Sequence, residues 1–95
     1  MAAYIVATVQ ILDPAKFAEY GAAIKGMSAR FGGESVIAGP VAEILEGEGV
    51  PGERVVVTRF PDGDSARAYI GSPDYVAASA RRDGAATVVM RLIEA

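Results

Sequence analysis

The side chains able to do chemistry in this sequence are few. There are four tyrosines, nine Lys and Arg together and twelve Asp and Glu together, with no cysteine and no histidine. That absence removes disulfides, thiolate nucleophiles, Cys-His pairs, Ser-His-Asp triads, zinc fingers and histidine-ligated haem as sites built from this chain alone. Phenol, guanidinium and carboxylate chemistry is what is left. Tyr75 and Arg82 form the first constellation, because their spacing is two helical turns and puts both on one helix face. A planar guanidinium there can hold a carboxylate or enolate oxygen through two parallel hydrogen bonds. Against this stands a structural role, with Arg82 near a helix C-terminus and Tyr75 in the core with its hydroxyl satisfied.

Tyr4, Tyr20 and Tyr69 are candidates for lining a pocket between sheet and helices, their hydroxyls orienting an aromatic or keto substrate; core packing would explain the same residues. Glu43, if it faces an apolar pocket, gains a raised pKa and the capacity to act as a general base. Glu43 and Glu46 lie at odd spacing on an expected strand, so they point to opposite faces and form no acid/base pair; the plainer reading makes them solvated edge residues. Arg59 shares a strand face with Val55 and Val57 and is a ligand-binding candidate; if buried it requires an acid, supplied within the chain or across a dimer. Ser72-Pro73-Asp74-Tyr75 has no histidine or lysine nearby to activate its hydroxyl and reads as a helix start. The stretch Gly47 to Gly52 is no phosphate cradle, since it lacks the P-loop lysine and precedes a strand.

The elements that must position these residues follow from periodicity. Tyr4 to Ile11 alternates as a strand. Asp13-Pro14 starts a helix, and Phe17, Tyr20, Ile24, Met27 and Phe31 extend one apolar stripe as far as Gly32-Gly33. Ser35 to Ala38 and Val41 to Glu46 flank Gly39-Pro40 as one bent strand or two short ones, and Gly47 to Gly52 makes a mobile hairpin loop. Arg54 to Phe60, with Val55, Val56 and Val57 in a row, is a strand buried on both faces and therefore central. Asp62 caps a helix with Ala66, Tyr69 and Ile70 inward, and Ser72 caps another with Val76, Ala77 and Ala80 inward. Asp83-Gly84 turns into a closing strand, Thr87 to Glu94.

Strand, helix, strand, strand, helix, strand predicts an α+β, ferredoxin-like βαββαβ domain over residues 1–95, with a four-stranded antiparallel sheet and all helices on one face. The apolar share of 52% and the two-sided strands leave more apolar sheet than one subunit covers, so a homodimer through the helix-free face is expected. A net charge of −3 with scattered basic residues argues against nucleic acid. No apolar run reaches the roughly 18 residues of a membrane span, and no secretory signal pattern opens the chain. With no cysteine, the expected compartment is the cytoplasm.

Tyr4, Asp13-Pro14, Tyr20, Gly32-Gly33, Gly39, Leu45-Glu46-Gly47, Arg54, Phe60-Pro61, Ser72-Pro73-Asp74-Tyr75 and Arg82 together resemble the bacterial domain-of-unknown-function family thirteen-thirty of the dimeric α/β-barrel superfamily. The resemblance spans nearly the whole chain. It implies a ferredoxin-like subunit and a homodimer whose two sheets form a barrel, and it implies no particular reaction, since similar superfamily members include cofactor-independent monooxygenases, muconolactone isomerase and haem-binding decolorising enzymes. Ala38, Arg59 and Ile70 depart from residues that relatives often carry. Two functions follow as expectations. One is a small-molecule enzyme without metal or organic cofactor, with a Tyr-lined pocket and Arg82 stabilising an anionic intermediate. The alternative is a non-catalytic ligand-binding or assembly module whose definite activity is dimerisation.

Overall fold

The computed structural model describes all 95 residues, Met1 to Ala95. Four strands and three helices follow in the order β1 (Ala3–Ile11), α1 (Pro14–Ile24), β2 (Glu34–Pro40), β3 (Arg54–Phe60), α2 (Gly63–Gly71), α3 (Pro73–Ser79) and β4 (Ala86–Glu94). Each helix starts where a side chain satisfies a free backbone N–H. The Asp13 carboxylate accepts from the Lys16 N–H at 3.1 Å, the Asp62 carboxylate from Ser65 at 2.7 Å, and the Ser72 hydroxyl from Tyr75 at 3.3 Å.

The sheet runs β2-β3-β1-β4 with every neighbouring pair antiparallel. This is the ferredoxin-like arrangement expected of two βαβ halves. In β1, the odd-numbered Ala3, Ile5, Ala7 and Val9 are all buried under the helices. Register carries the same face across the sheet, placing Arg54, Val56, Thr58 and Phe60 of β3 and Val88, Met90 and Leu92 of β4 beside them. Phe60 is fully enclosed and stacks on Tyr69 of α2 with ring centroids 5.7 Å apart. Tyr4, Val6, Val55, Val57, Arg59, Val89, Ile93 and, by pairing with Val57, Ile37 leave from the opposite face. On that face Ile37, Val89 and Ile93 are exposed, and Tyr4, Val6, Val55 and Val57 are half-buried.

Three sequence expectations are corrected. The first helix ends at Ile24 and does not run to Gly32-Gly33, because Gly26 takes a left-handed φ of 73° and a separate 3-10 turn, Ser28–Phe31, follows. Met27 and Phe31 still pack against the core, which is why the apolar stripe outlasts the helix. Val41 to Glu46 is not strand: β2 stops at Pro40, which offers no N–H to a ladder, and one backbone bond, Val41 N–H to Glu53 carbonyl, closes the connection. Finally, α3 turns Tyr75 and Ala78 inward, leaving Val76, Ala77 and Ala80 exposed. The Ser72 cap fixes the phase of this helix, and the large ring takes the core side.

Gly32 and Gly33 serve different needs. Gly32 adopts φ 81°, whereas Gly33 has ordinary backbone but no room, since an added Cβ would lie 2.9 Å from both Phe60 Cε1 and the Ser28 carbonyl oxygen. Gly33→Ala is therefore expected to cost about 1–3 kcal/mol by overpacking. Gly21→Ala, in α1 with nothing within 4 Å of the new Cβ, is expected to stabilise by up to about 1 kcal/mol through helix propensity. Urea denaturation of the two variants at equal protein concentration checks this opposition of signs.

Candidate functional site

Between the helix-bearing face of the sheet and helices α1 and α2 lies a cleft of about 250 Å³. Eleven of its fourteen lining residues are hydrophobic, so its interior suits an apolar body. Two small residues make the space: Ala7, opposite both Val56 and Met90 in the register, and Gly21 on the facing surface of α1. Tyr20, Tyr69, Thr58 and Arg54 are the lining residues that carry polar side-chain groups. No Asp or Glu borders the cleft.

Tyr20 links the cleft to a buried polar cluster. Its hydroxyl lies 3.1 Å from that of Tyr75, either being able to donate. Arg82 Nη1 donates to the Tyr75 hydroxyl at 3.1 Å and to the Tyr20 hydroxyl at a longer 3.5 Å. The guanidinium carbon sits 5.1 Å from the Tyr20 ring centroid and 5.9 Å from that of Tyr75, within cation–π range of both. Met90 Sδ, 3.6 Å from the Tyr75 oxygen, is a further weak acceptor. Arg82 makes no ion pair, the ion pairs of the chain being Arg30 with Asp74 and Arg67 with Asp64 and Glu94.

Burial pushes the Tyr69 phenol from its ordinary 10.0 up to about 12, with the neighbouring Tyr20 adding to the rise and Arg82 opposing it. Tyr75 is pushed up as well, first by burial and then by its hydrogen bond with Tyr20, again against the pull of Arg82. Both phenols accordingly keep their protons at physiological pH and are not resting bases; the Tyr75 hydroxyl has hydrogen-bond partners within the chain, whereas that of Tyr69 has none. A donor cluster backed by a guanidinium is suited to orienting an oxygen and to stabilising negative charge that develops on it.

The residues singled out from sequence divide into three groups. Tyr20 and Tyr69 line the cleft, and Tyr75 and Arg82 meet behind Tyr20. Tyr4 is corrected: it leaves from the helix-free face and does not reach the cleft between sheet and helices, while its direct partner in the β1–β3 register, Arg59, shares that face with Val55 and Val57 as alternation predicts and also lies away from the cleft. Glu43 is corrected too, being exposed in the connection after β2 and absent from the cleft wall. Arg54 was missed as a site residue. Counting back by twos from buried Phe60 through Thr58 and Val56 puts Arg54 on the same face, a signal that alternation alone carries.

The sequence profile of the family described as Domain of unknown function (DUF1330) matches residues 2–95. The chain belongs to that family. Among curated proteins none matches it. Its fold is similar to that of RPA0582, a protein of unknown function from Rhodopseudomonas palustris, at a TM-score of 0.80 and 20% identity over 99% of this chain and 82% of that one. SnoaB, a cofactor-independent oxygenase from Streptomyces nogalater, is similar at a TM-score of 0.70 and 19% identity over 99% and 92% of the two chains. A dimeric ferredoxin-like protein of unknown function from Thermobifida fusca is similar at 0.64 and 20% over 100% and 92%. At these identities the likeness establishes the ferredoxin-like fold and leaves the reaction open.

The raised phenol has a consequence for alkaline stability. Above 10.0 the unfolded chain releases the Tyr69 proton while the folded chain keeps it, so stability present below 10.0 is lost as pH climbs toward about 12. Tyr69→Phe is expected to flatten the fall across that window. Urea midpoints measured against pH, alongside tyrosinate absorbance, compare the two proteins.

Proposed function

We propose that this DUF1330 protein is a homodimeric small-molecule enzyme that needs no cofactor, taking an apolar substrate into the cleft and stabilising negative charge on a substrate oxygen. The observation that carries this reading is the position of Tyr20, which lines the cleft and places its hydroxyl against Tyr75 and Arg82. A substrate oxygen hydrogen-bonded to Tyr20 would feel the guanidinium through that hydroxyl, in surroundings dry enough to strengthen the effect. SnoaB supports the reading as a cofactor-independent oxygenase of similar fold. The absence of a carboxylate at the cleft favours a second reading, in which the site binds its ligand and catalyses nothing.

The two readings differ in sign for a phenol probe. 4-Nitrophenol bound in a passive apolar cleft has its pKa raised by desolvation, whereas a charge-stabilising cleft lowers it. The enzyme reading expects a bound pKa about one unit below that of the free phenol, with Tyr20→Phe abolishing most of the drop. Visible absorbance titration measures it, and a rise instead of a fall leaves the binding reading. Gly21→Leu, which fills the cleft from α1, is expected to abolish binding of the probe in a folded protein.

The homodimer forms, in this proposal, through the helix-free face of the sheet, two such faces packing into a barrel. Tyr4, Val6, Val55, Val57, Val89 and Ile93 give that face its apolar character, and the Thermobifida fusca protein of similar fold is dimeric. Val57 pairs with Val6 on one side and Ile37 on the other, so Val57→Glu places a charge in the middle of the patch. Sedimentation at micromolar protein is expected to show a dimer for the natural sequence and a monomer for the variant. A natural sequence that sediments as one chain overturns the dimer.

A further inference from the structure

We propose that Arg54 is a carboxylate-binding residue of the cleft, so that the molecule it takes is an apolar acid; this rests on the cleft being a ligand site. Arg54 opens β3 between Val9 and Pro40, half-buried, and lines the cleft on the same face as Val56 and Thr58. It has no ion pair and no side-chain hydrogen bond within the chain, whereas Arg30 and Arg67 pair with acids on exposed surfaces. A guanidinium partly withdrawn from water without an anion carries an unrelieved desolvation cost, and an incoming anion relieves it.

The class of anion follows from what else lines the cleft. Arg54 is the single charged residue there, so a phosphate dianion would find too few donors, while one planar fork matches one carboxylate with two parallel hydrogen bonds. The hydrophobic walls then take the remainder of the molecule, and about 250 Å³ limits it to roughly one or two rings or a short chain. Arg54 enters from β3, and Arg82 stands in the segment leading to β4. In this proposal the carboxylate goes to Arg54, while any oxygen presented to Tyr20 is a second group of the same ligand.

A matched pair of probes tests the assignment: 2-naphthoate and its neutral amide, 2-naphthamide, titrated calorimetrically into the full-length protein. The natural sequence is expected to bind the acid about tenfold or more tightly than the amide. Arg54→Gln should bring that ratio close to one, chiefly by weakening the acid, and Arg54→Lys, which keeps the charge but loses the fork, should fall between. Equal affinity for acid and amide in the natural sequence overturns the proposal without any variant. So does a preference that survives in Arg54→Gln, as when a partner subunit's acid already occupies the guanidinium; in both cases amide binding leaves the cleft itself standing. If neither probe binds, the ligand-site reading fails and this assignment fails with it.

Discussion

Which face of the sheet a side chain leaves from decides its part in this protein. Ala3, Ile5, Ala7 and Val9 of β1 are buried beneath helices that the chain itself provides, while Tyr4, Val6 and Thr8 leave from the opposite face and are only half-buried. Because strand side chains alternate with a period of two, this one assignment propagates through the register to every neighbour. It sends Arg54 to the cleft and Arg59 to the opposite side, although the two belong to a single seven-residue strand. It likewise separates Tyr4 from Tyr20, Tyr69 and Tyr75, which otherwise form a natural set of four.

The aromatic cluster and the cleft are two results of the same packing problem. Phe60, Tyr69 and Tyr75 fill one part of the layer between sheet and helices, with centroids 5.7 Å apart for the first pair and 4.9 Å for the second. Rings of this size hold helices away from a sheet whose central strand contributes Ala7. Where large side chains continue, the layer is solid; where Ala7 faces Gly21, it opens. Larger residues at both positions would supply apolar contact that the chain now forgoes, a loss that matters in so small a domain.

Much of the fold was legible because its signals are local and mutually consistent. Asp13-Pro14, Asp62 and Ser72-Pro73 announce helix starts by capping chemistry, and all three act as caps. The helix end was misplaced because the apolar stripe continues through Met27 and Phe31 after the backbone has turned at Gly26: periodicity registers what packs inward, not which backbone carries it. Val41 to Glu46 has the composition of a strand but no neighbour to pair with in the ladder, and pairing is a tertiary fact. In the site, the separation of Tyr75 and Arg82 survives a change from α-helix to 3-10 geometry at Ala80, and the two still meet. Tyr20, 62 residues from Arg82 and on another helix, joins them only through the fold.

The cluster also explains how an arginine can be half-buried beside tyrosines without an acid. Arg82 finds oxygen acceptors in two hydroxyls and negative ring faces in the same two residues, so its partners are neutral and its charge is not cancelled. A carboxylate in place of either phenol would neutralise the guanidinium and remove its influence on anything in the cleft. Desolvation outweighs the pull of Arg82 on Tyr75, so the phenol keeps its proton and the positive charge stands uncompensated. Together with Arg54, which also lacks an ion pair, this puts two unpaired guanidinium groups at or beside a cleft with no carboxylate in its wall, within a chain of net charge −3. Low-dielectric walls lengthen the reach of such charges, so an anion entering the cleft would meet positive charge and no carboxylate in its wall.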